Sequence, residues 1–264
     1  MIDWRHWHNE PLLVGGLVFL GWLWALLAGP LRLRLASGKP FPRRQAWYFY
    51  SSLVLFYLAV GSPLDQIGER FLFSAHMFQH QLLMYPVPVL FLCGLPGWMI
   101  DGPLGRPALR RPLRLLLGPL GCGVLSTLVI SLWHAPWLYE WALQDKVIHV
   151  VEHLMFFAAS VLFWWPLLSP SKTYPPLSYA SQMLYIFCVE VAMTPIFAYI
   201  TFSPNILYPT YEFAPRLRAG FSPADDQLLA GVMMKIVSML VSLLVFGVSF
   251  YHWSRASQRP GGQK

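Results

Sequence analysis

The sequence predicts an all-α membrane protein with seven transmembrane helices. Hydrophobic residues make up 56% of the 264-residue chain and charged residues only 12%, whereas soluble domains are about 45–50% apolar and about 25% charged. Apolar runs of about 20 residues alternate with short charged connections, as a bilayer core about 30 Å thick requires. The connections are too short to bury cores of their own, so we predict a single transmembrane domain over residues 1–264.

Each predicted span is an apolar stretch of membrane-crossing length between polar or Pro- and Gly-containing connections. In chain order, the spans cover about residues 11–29, 46–60, 71–93, 119–138, 147–168, 177–201 and 226–253. The first should direct insertion itself, since no signal-peptide pattern precedes it. The second is short and could begin a few residues earlier. Pro86 and Pro88 should kink the third span and free carbonyl groups that need other donors.

The distribution of basic residues predicts the orientation of the chain. Thirteen of the nineteen Lys and Arg residues lie in alternate connections on one side, and five lie on the other. Because short cytoplasmic loops carry the excess of Lys and Arg, we place the N-terminus outside and the C-terminus in the cytoplasm. Basic residues spread over loops do not indicate nucleic acid as a partner. The thirteen are Arg32, Arg34, Lys39, Arg43, Arg44, Arg106, Arg110, Arg111, Arg114, Lys172, Arg255, Arg259 and Lys264.

Five histidines are predicted to lie at one depth in the outer leaflet, near the outer ends of spans three, four and five. They are His76, His80, His134, His149 and His153. At a rise of about 1.5 Å per residue, their depths agree to within about two helical turns. His76 and His80 are four residues apart, as are His149 and His153, so each pair shares a helix face and can hold one ion. Ionisable groups inside a membrane need partners, so we predict a metal site here.

Methionine and aspartate side chains are candidate auxiliary ligands. Met77 and Met84 lie beside the first histidine pair, and Asp226, Met233 and Met234 lie near the start of span seven. Imidazole together with thioether sulfur favours copper, particularly Cu(I), over a hard ion such as Mg²⁺. The predicted ion is therefore copper.

Three segments, in a fixed order, form a recognisable pattern. They are Ser74 to Met84 with Pro86, Pro88 and Gly94-Leu95-Pro96; His134-Ala135-Pro136 and Leu138-Tyr139 with His149, Glu152-His153 and Phe163-Trp164-Trp165-Pro166; and Asp226-Gln227 with Ala230-Gly231 and Met233-Met234. This combination, over about residues 60–245, resembles the CtaG family, the seven-span assembly factors of caa3-type cytochrome c oxidase. The chain departs from the family pattern at Lys235, where an aromatic or apolar residue is expected.

The resemblance implies a role in oxidase maturation together with copper handling. The expected partners are subunits of a haem–copper oxidase, membrane lipid and a periplasmic copper donor. The expected location is the bacterial cytoplasmic (inner) membrane, which the chain crosses several times. We expect no turnover of a substrate.

Two alternative functions stay open at this point. His149-Val150-Val151-Glu152-His153 fits the H-x-x-E-H pattern of zinc proteases, in which Glu152 would activate water and His134 or Asp226 would complete the ligand set. Glu152 could instead have a purely structural role, in which its carboxylate accepts a hydrogen bond and orients a neighbouring imidazole. The second alternative is a haem b electron carrier, although the four-residue spacing does not suit haems stacked through the membrane.

Lys235 is predicted to form a structural ion pair with Glu190. An unpaired ammonium group at the centre of a span costs about 2.5–3.5 kcal/mol. Glu190 lies at a similar depth on span six when both positions are converted at about 1.5 Å per residue. On a helical wheel, Lys235 is about 180° from Asp226 and Met233, so we expect it to point away from the metal site.

Overall fold

In the computed structural model, which describes residues 4–5, 7–36 and 38–258, the chain folds into helices, with no strand among these residues. The predicted all-α class is therefore confirmed. The helices are α1 (Pro11–Ala28), α2 (Arg32–Leu35), α3 (Arg43–Gly61), α4 (Pro63–Arg70), α5 (Phe73–Met84), α6 (Pro86–Cys93), α7 (Gly97–Leu104), α8 (Arg110–Leu116), α9 (Pro119–Trp133), α10 (Pro136–Gln144), α11 (Lys146–Leu168), α12 (Tyr179–Phe202), α13 (Pro209–Glu212) and α14 (Pro223–Ser257), with a 3₁₀ turn at Pro107–Leu109.

The described residues contain four to seven candidate membrane spans, judged by length and composition. The helices α1, α11, α12 and α14 are each long and apolar enough to cross a bilayer. Three more candidates are bent: α3 with α4 at 41°, α5–α6 with α7 at 93°, and the segment from the 3₁₀ turn through α8 with α9 at 61°. The count reaches the predicted seven when each bent pair is one span. The orientation of the termini stays a prediction, and two residues used for it, Arg259 and Lys264, lie outside the described residues.

The fourth span ends earlier than predicted, and this changes the setting of one histidine. Helix α9 ends at Trp133, so His134 is its C-cap and does not lie within the helix. Ala135 has extended backbone angles because it precedes Pro136, whose ring clashes with a helical residue before it. A new helix, α10, begins at Pro136. The predicted span of 119–138 therefore combines the end of one helix with the start of another.

The third span is interrupted where the two prolines predict a break. Helix α5 ends at Met84 and α6 begins at Pro86. Pro88 has no N–H with which to reach the carbonyl of Met84 four residues earlier. The indole Nε1 of Trp164 on α11 donates to that carbonyl instead, over 2.9 Å. The proline break therefore leaves a carbonyl through which Trp164 links α5 to α11, the two helices that carry the histidine pairs.

Helices α5 and α11 contact each other near the centre of the molecule. Helix α5 also packs against α4 and α14, and α11 packs against α6, α9 and α10. Helix α12 packs along α14, while α1 lies at the periphery against α3. The histidine-bearing faces of α5 and α11 are therefore enclosed by other helices rather than directed to lipid.

Candidate metal centre

The two histidine pairs meet between α5 and α11, together with Glu152. One ligand atom from each of His76, His149, Glu152 and His153 lies within 4.8 Å of the others. We call these four residues the histidine cluster. All are buried, and His76 and Glu152 are fully so. The ring centroid of His76 lies 5.5 Å from that of His149 and 5.9 Å from that of His153. This distance range allows one ion to contact several of the side chains.

Several ligand atoms of the histidine cluster lack hydrogen-bond partners among the described residues. These atoms are Nε2 of His149, Nε2 of His153 and both carboxylate oxygens of Glu152. Buried polar atoms are normally paired, and leaving one unpaired costs about 1–3 kcal/mol. Four such atoms in one place form a set of ligand atoms that no described residue satisfies. A metal cation fits this set, because imidazole nitrogen and carboxylate oxygen are both ordinary ligands of transition metals.

His80 lies beside the histidine cluster and supports it. Its Nε2 is 2.8 Å from Nε2 of His76, so one of the two rings donates a hydrogen bond to the other. Its ring stacks on Phe156 with centroids 4.1 Å apart. The distance from His80 Nε2 to Glu152 Oε1 is 3.6 Å, which is long for a hydrogen bond. In this geometry, His80 holds His76 in place rather than contributing to the four-atom group.

His134 lies beside His80 and is not one of the four residues of the histidine cluster. Its Nδ1 donates to the carbonyl of Ile130 over 2.7 Å, so the lone pair of the neutral ring is on Nε2. That atom is buried and lacks a partner among the described residues. The rings of His134 and His80 are 5.9 Å apart. All five histidines singled out in the sequence therefore gather in one region, with three in the cluster and two beside it.

His149 is oriented by a carboxylate that the sequence analysis did not identify. Its Nδ1 lies 2.6 Å from Oε1 of Glu69 on α4. This contact places the ring proton on Nδ1 and leaves the lone pair of Nε2 facing the histidine cluster. Metal-binding histidines commonly donate their second ring N–H to a carboxylate in this way. The one available signal was the four-residue spacing of Asp65 and Glu69, which places both on one helix face.

Asp65, Glu69 and His149 form a second group, which we call the carboxylate cluster; one ligand atom from each lies within 4.8 Å of the others. Asp65 is buried, and its Oδ2 lies 2.9 Å from Nδ1 of His8, in the segment before α1. The hydrogen bond to Asp65 raises the pKa of His8 above its ordinary value, against the opposing effect of burial. The two clusters share His149, one ring nitrogen facing each.

The contact between α4 and α5 fixes the position of His76. A Cβ atom at Gly68 would lie 3.0 Å from Cα of His76, so only glycine lets the two backbones come this close. The hydroxyl of Tyr211 donates to the carbonyl of Gly68 over 2.7 Å and lies 2.8 Å from the hydroxyl of Tyr139. These contacts join α4, α10 and α13 around the histidine cluster.

The candidate auxiliary ligands have other contacts in the structure. Both carboxylate oxygens of Asp226 accept backbone N–H groups at the start of α5, from Phe73 at 2.7 Å and Ser74 at 3.1 Å. Asp226 is therefore a helix cap supplied by α14. The four methionines belong to the apolar packing: Met77, Met84 and Met234 are buried in the main hydrophobic core, and Met233 packs against it.

Lys235 and Glu190 are in contact, as the sequence analysis expects. Nζ of Lys235 lies 2.6 Å from Oε1 of Glu190. The second carboxylate oxygen accepts hydrogen bonds from Ser238 at 2.5 Å and Ser242 at 2.9 Å. Lys235 also donates to Thr194 over 3.1 Å. The pair joins α12 to α14, and none of these groups belongs to either cluster.

Comparison with known proteins gives one finding. Residues 22–256 match the family model described as cytochrome c oxidase caa3 assembly factor. Among curated proteins and among solved structures, no match to the chain was found. The matched residues include all of α3 to α13 and nearly all of α14, and hence every member of the histidine cluster.

Proposed function

We propose that this chain, which belongs to the cytochrome c oxidase caa3 assembly factor family, binds copper as cargo in the histidine cluster during maturation of the oxidase. The observation that carries the proposal is the set of buried, unpartnered ligand atoms on His149, Glu152 and His153. Family membership supplies the process, oxidase assembly. The cluster supplies a chemical reason why an assembly factor would take part in metal delivery.

The donor set favours copper among divalent ions. Three imidazoles and one carboxylate suit Cu(II) and Zn(II), and affinity for a given nitrogen and oxygen site is highest for Cu(II) among first-row divalent metals. Glu152 contributes negative charge, which offsets part of the charge of the ion in a buried setting. Thioether binding of Cu(I) by Met77 or Met84 would be an addition to this set.

The chain acts, in this proposal, as a carrier rather than as an enzyme. Burial of the cluster shields the ion until it is passed to a partner. The partners are oxidase subunits and a periplasmic copper donor, in the lipid of the bacterial inner membrane, with the cluster on the outer side. The zinc protease and haem carrier alternatives draw no support from the family match.

The test is complementation of cells that lack this protein and that make a caa3-type oxidase. Wild-type chain should restore oxidase activity and oxidase-bound copper, and His76→Ala/His153→Ala should restore neither, at equal protein levels in the membrane. His252→Ala is the control, because His252 is an exposed histidine on α14 whose ring stacks on Tyr179 far from α5. Full oxidase copper with the double variant would overturn the proposal.

A further inference from the structure

A cavity joins the surface of the molecule to both clusters. It has a volume of about 430 Å³ and lies among α1, α3, α4, α6 and α11. Its lining includes Leu12 and Lys146, which are exposed on the surface. It also includes Glu69, His149 and His153. An ion in this cavity can therefore contact members of both clusters.

The carboxylate cluster has more charge than the orientation of His149 requires. One carboxylate, Glu69, is sufficient to hold the Nδ1 proton of that ring. Asp65 is a second carboxylate, only 2% exposed, within 4.8 Å of the same group. Two carboxylates so close repel each other when both are ionised. Hydrogen bonds from His8 and Gln79 hold Asp65 in this position, and a cation between the two carboxylates would remove their repulsion.

Two further side chains contact Asp65. Nδ1 of His8 is 2.9 Å from Oδ2 of Asp65. Gln79, fully buried on α5, donates from Nε2 to Oδ1 of Asp65, and its own Oε1 has no hydrogen-bond partner among the described residues. This unpartnered amide oxygen, on a side chain that contacts Asp65, is a further oxygen donor of the kind that cations bind.

We propose that Asp65, Glu69 and Nδ1 of His149, with His8 at the edge, form a second cation site that receives a divalent transition-metal ion before it enters the histidine cluster. Oxygen and imidazole donors together suit Cu(II) or Zn(II). The existence of the site stands on the carboxylate cluster alone, while its role in loading rests on the proposed function above.

His149 links the two sites through its two ring nitrogens. With the ion in the carboxylate cluster, Nδ1 binds the metal and Nε2 carries the ring proton, directed toward Glu152. With the ion in the histidine cluster, Nε2 binds the metal and the proton is on Nδ1, donated to Glu69. Between the two states the ring loses one proton from Nε2 and gains one at Nδ1. Water in the cavity that His149 lines takes up the first and supplies the second, so no proton is gained or lost overall.

The experiment measures Cu²⁺ affinity of the full-length protein in detergent by equilibrium dialysis. His76→Ala/His153→Ala removes the histidine cluster and should leave one Cu²⁺ site of lower affinity. Adding Asp65→Asn/Glu69→Gln to that variant should weaken the remaining site at least tenfold. Adding Glu212→Gln instead, which changes an exposed carboxylate on α13, should leave it unchanged. Thermal unfolding of each variant checks that the chain is folded.

Two results overturn this proposal. One is a folded His76→Ala/His153→Ala protein that binds no Cu²⁺, and the other is a remaining site that Asp65→Asn/Glu69→Gln does not weaken. Failure of the proposed function gives a different result: the wild-type affinity would then be the same as that of His76→Ala/His153→Ala. A shift of the Cu²⁺ electron paramagnetic resonance spectrum from nitrogen-rich to oxygen-rich ligation between those two proteins supports both proposals.

Discussion

At the residue scale, the chemistry of the site depends on which atoms are already partnered. His76 and His80 hydrogen-bond to each other through their Nε2 atoms, whereas Nε2 of His153 has no partner among the described residues. Two histidines on one helix face, or at one depth, are therefore not equivalent. Nε2 of His153 can bind an ion as it stands, whereas Nε2 of His76 would have to give up its contact with His80.

This difference predicts unequal effects of two histidine substitutions. His153→Ala should remove most of the bound copper, because it deletes a ligand. His80→Ala should reduce affinity by about 10–100-fold without abolishing binding, the usual cost of losing a group that orients a ligand. Copper titration of the two purified variants measures this directly. Equal and complete loss in both would place His80 among the ligands and contradict the assignment.

Gly68→Ala should disturb the site without touching a ligand. The added methyl group would lie 3.0–3.2 Å from the backbone and Cβ of His76, so α4 and α5 must separate slightly. We expect a loss of about 1–3 kcal/mol of stability together with weaker copper binding. Gly102→Ala is the matched control, because a Cβ there meets nothing within 4 Å. Wild-type affinity in Gly68→Ala would show that this contact does not position His76.

At the element scale, helix ends and breaks place the functional side chains. Asp226 at the start of α14 caps α5, and Trp164 on α11 donates to the carbonyl at the end of α5. Both ends of the helix that carries His76 and His80 are thus held by neighbouring helices. An α5 held at both ends keeps its histidines in register with those of α11.

The Glu190–Lys235 contact predicts coupling between α12 and α14. Glu190→Gln and Lys235→Met should each destabilise the protein, and the double variant should be less destabilised than their sum by about 1 kcal/mol, because a lone charge on a partly buried, apolar helix is worse than none. Unfolding in denaturing detergent gives the change in the free energy of unfolding for the two single variants and for the double variant. Glu190→Gln combined with Lys172→Met, an exposed lysine between α11 and α12, should be additive. Additivity in the Glu190 and Lys235 cycle would contradict a stabilising pair.

The sequence predicts the positions of several helices and the placement of the five histidines in one region. Apolar length alone predicts 11–29 and 147–168 to within one residue of α1 and α11, and depth along three spans brings five histidines together. The position of Glu152 among the clustered ligand atoms, the contact of Glu69 with His149, and the capping role of Asp226 were missed. They depend on how bent helices pack across the molecule, and periodicity along one helix carries no information about that.

At the scale of the whole molecule, a peripheral set of helices encloses a polar centre. Helices α5 and α11 carry the histidines, and α4, α9, α10 and α14 surround them. Such an arrangement keeps an ion out of lipid and leaves the cavity beside α1 as a route from the surface.

The side of the membrane on which this centre lies is predicted by the basic residues. A reporter enzyme active only outside the cytoplasm should be inactive when fused after Lys264 and active when fused after Pro215, because thirteen Lys and Arg residues fall on one side and five on the other. Reporter activity, normalised to the amount of fusion protein, is the measurement. The reverse pattern would place the histidine cluster on the cytoplasmic side.

The central claim is that the two histidine pairs and Glu152 make this chain a copper-binding protein. The most direct test is the copper-to-protein ratio, after dialysis against copper, of the purified wild-type chain and of His149→Ala, which removes the residue common to both clusters. We predict at least one copper ion per wild-type chain and nearly none in the variant. A wild-type chain without copper, or full copper retention in a folded His149→Ala protein, would contradict the account.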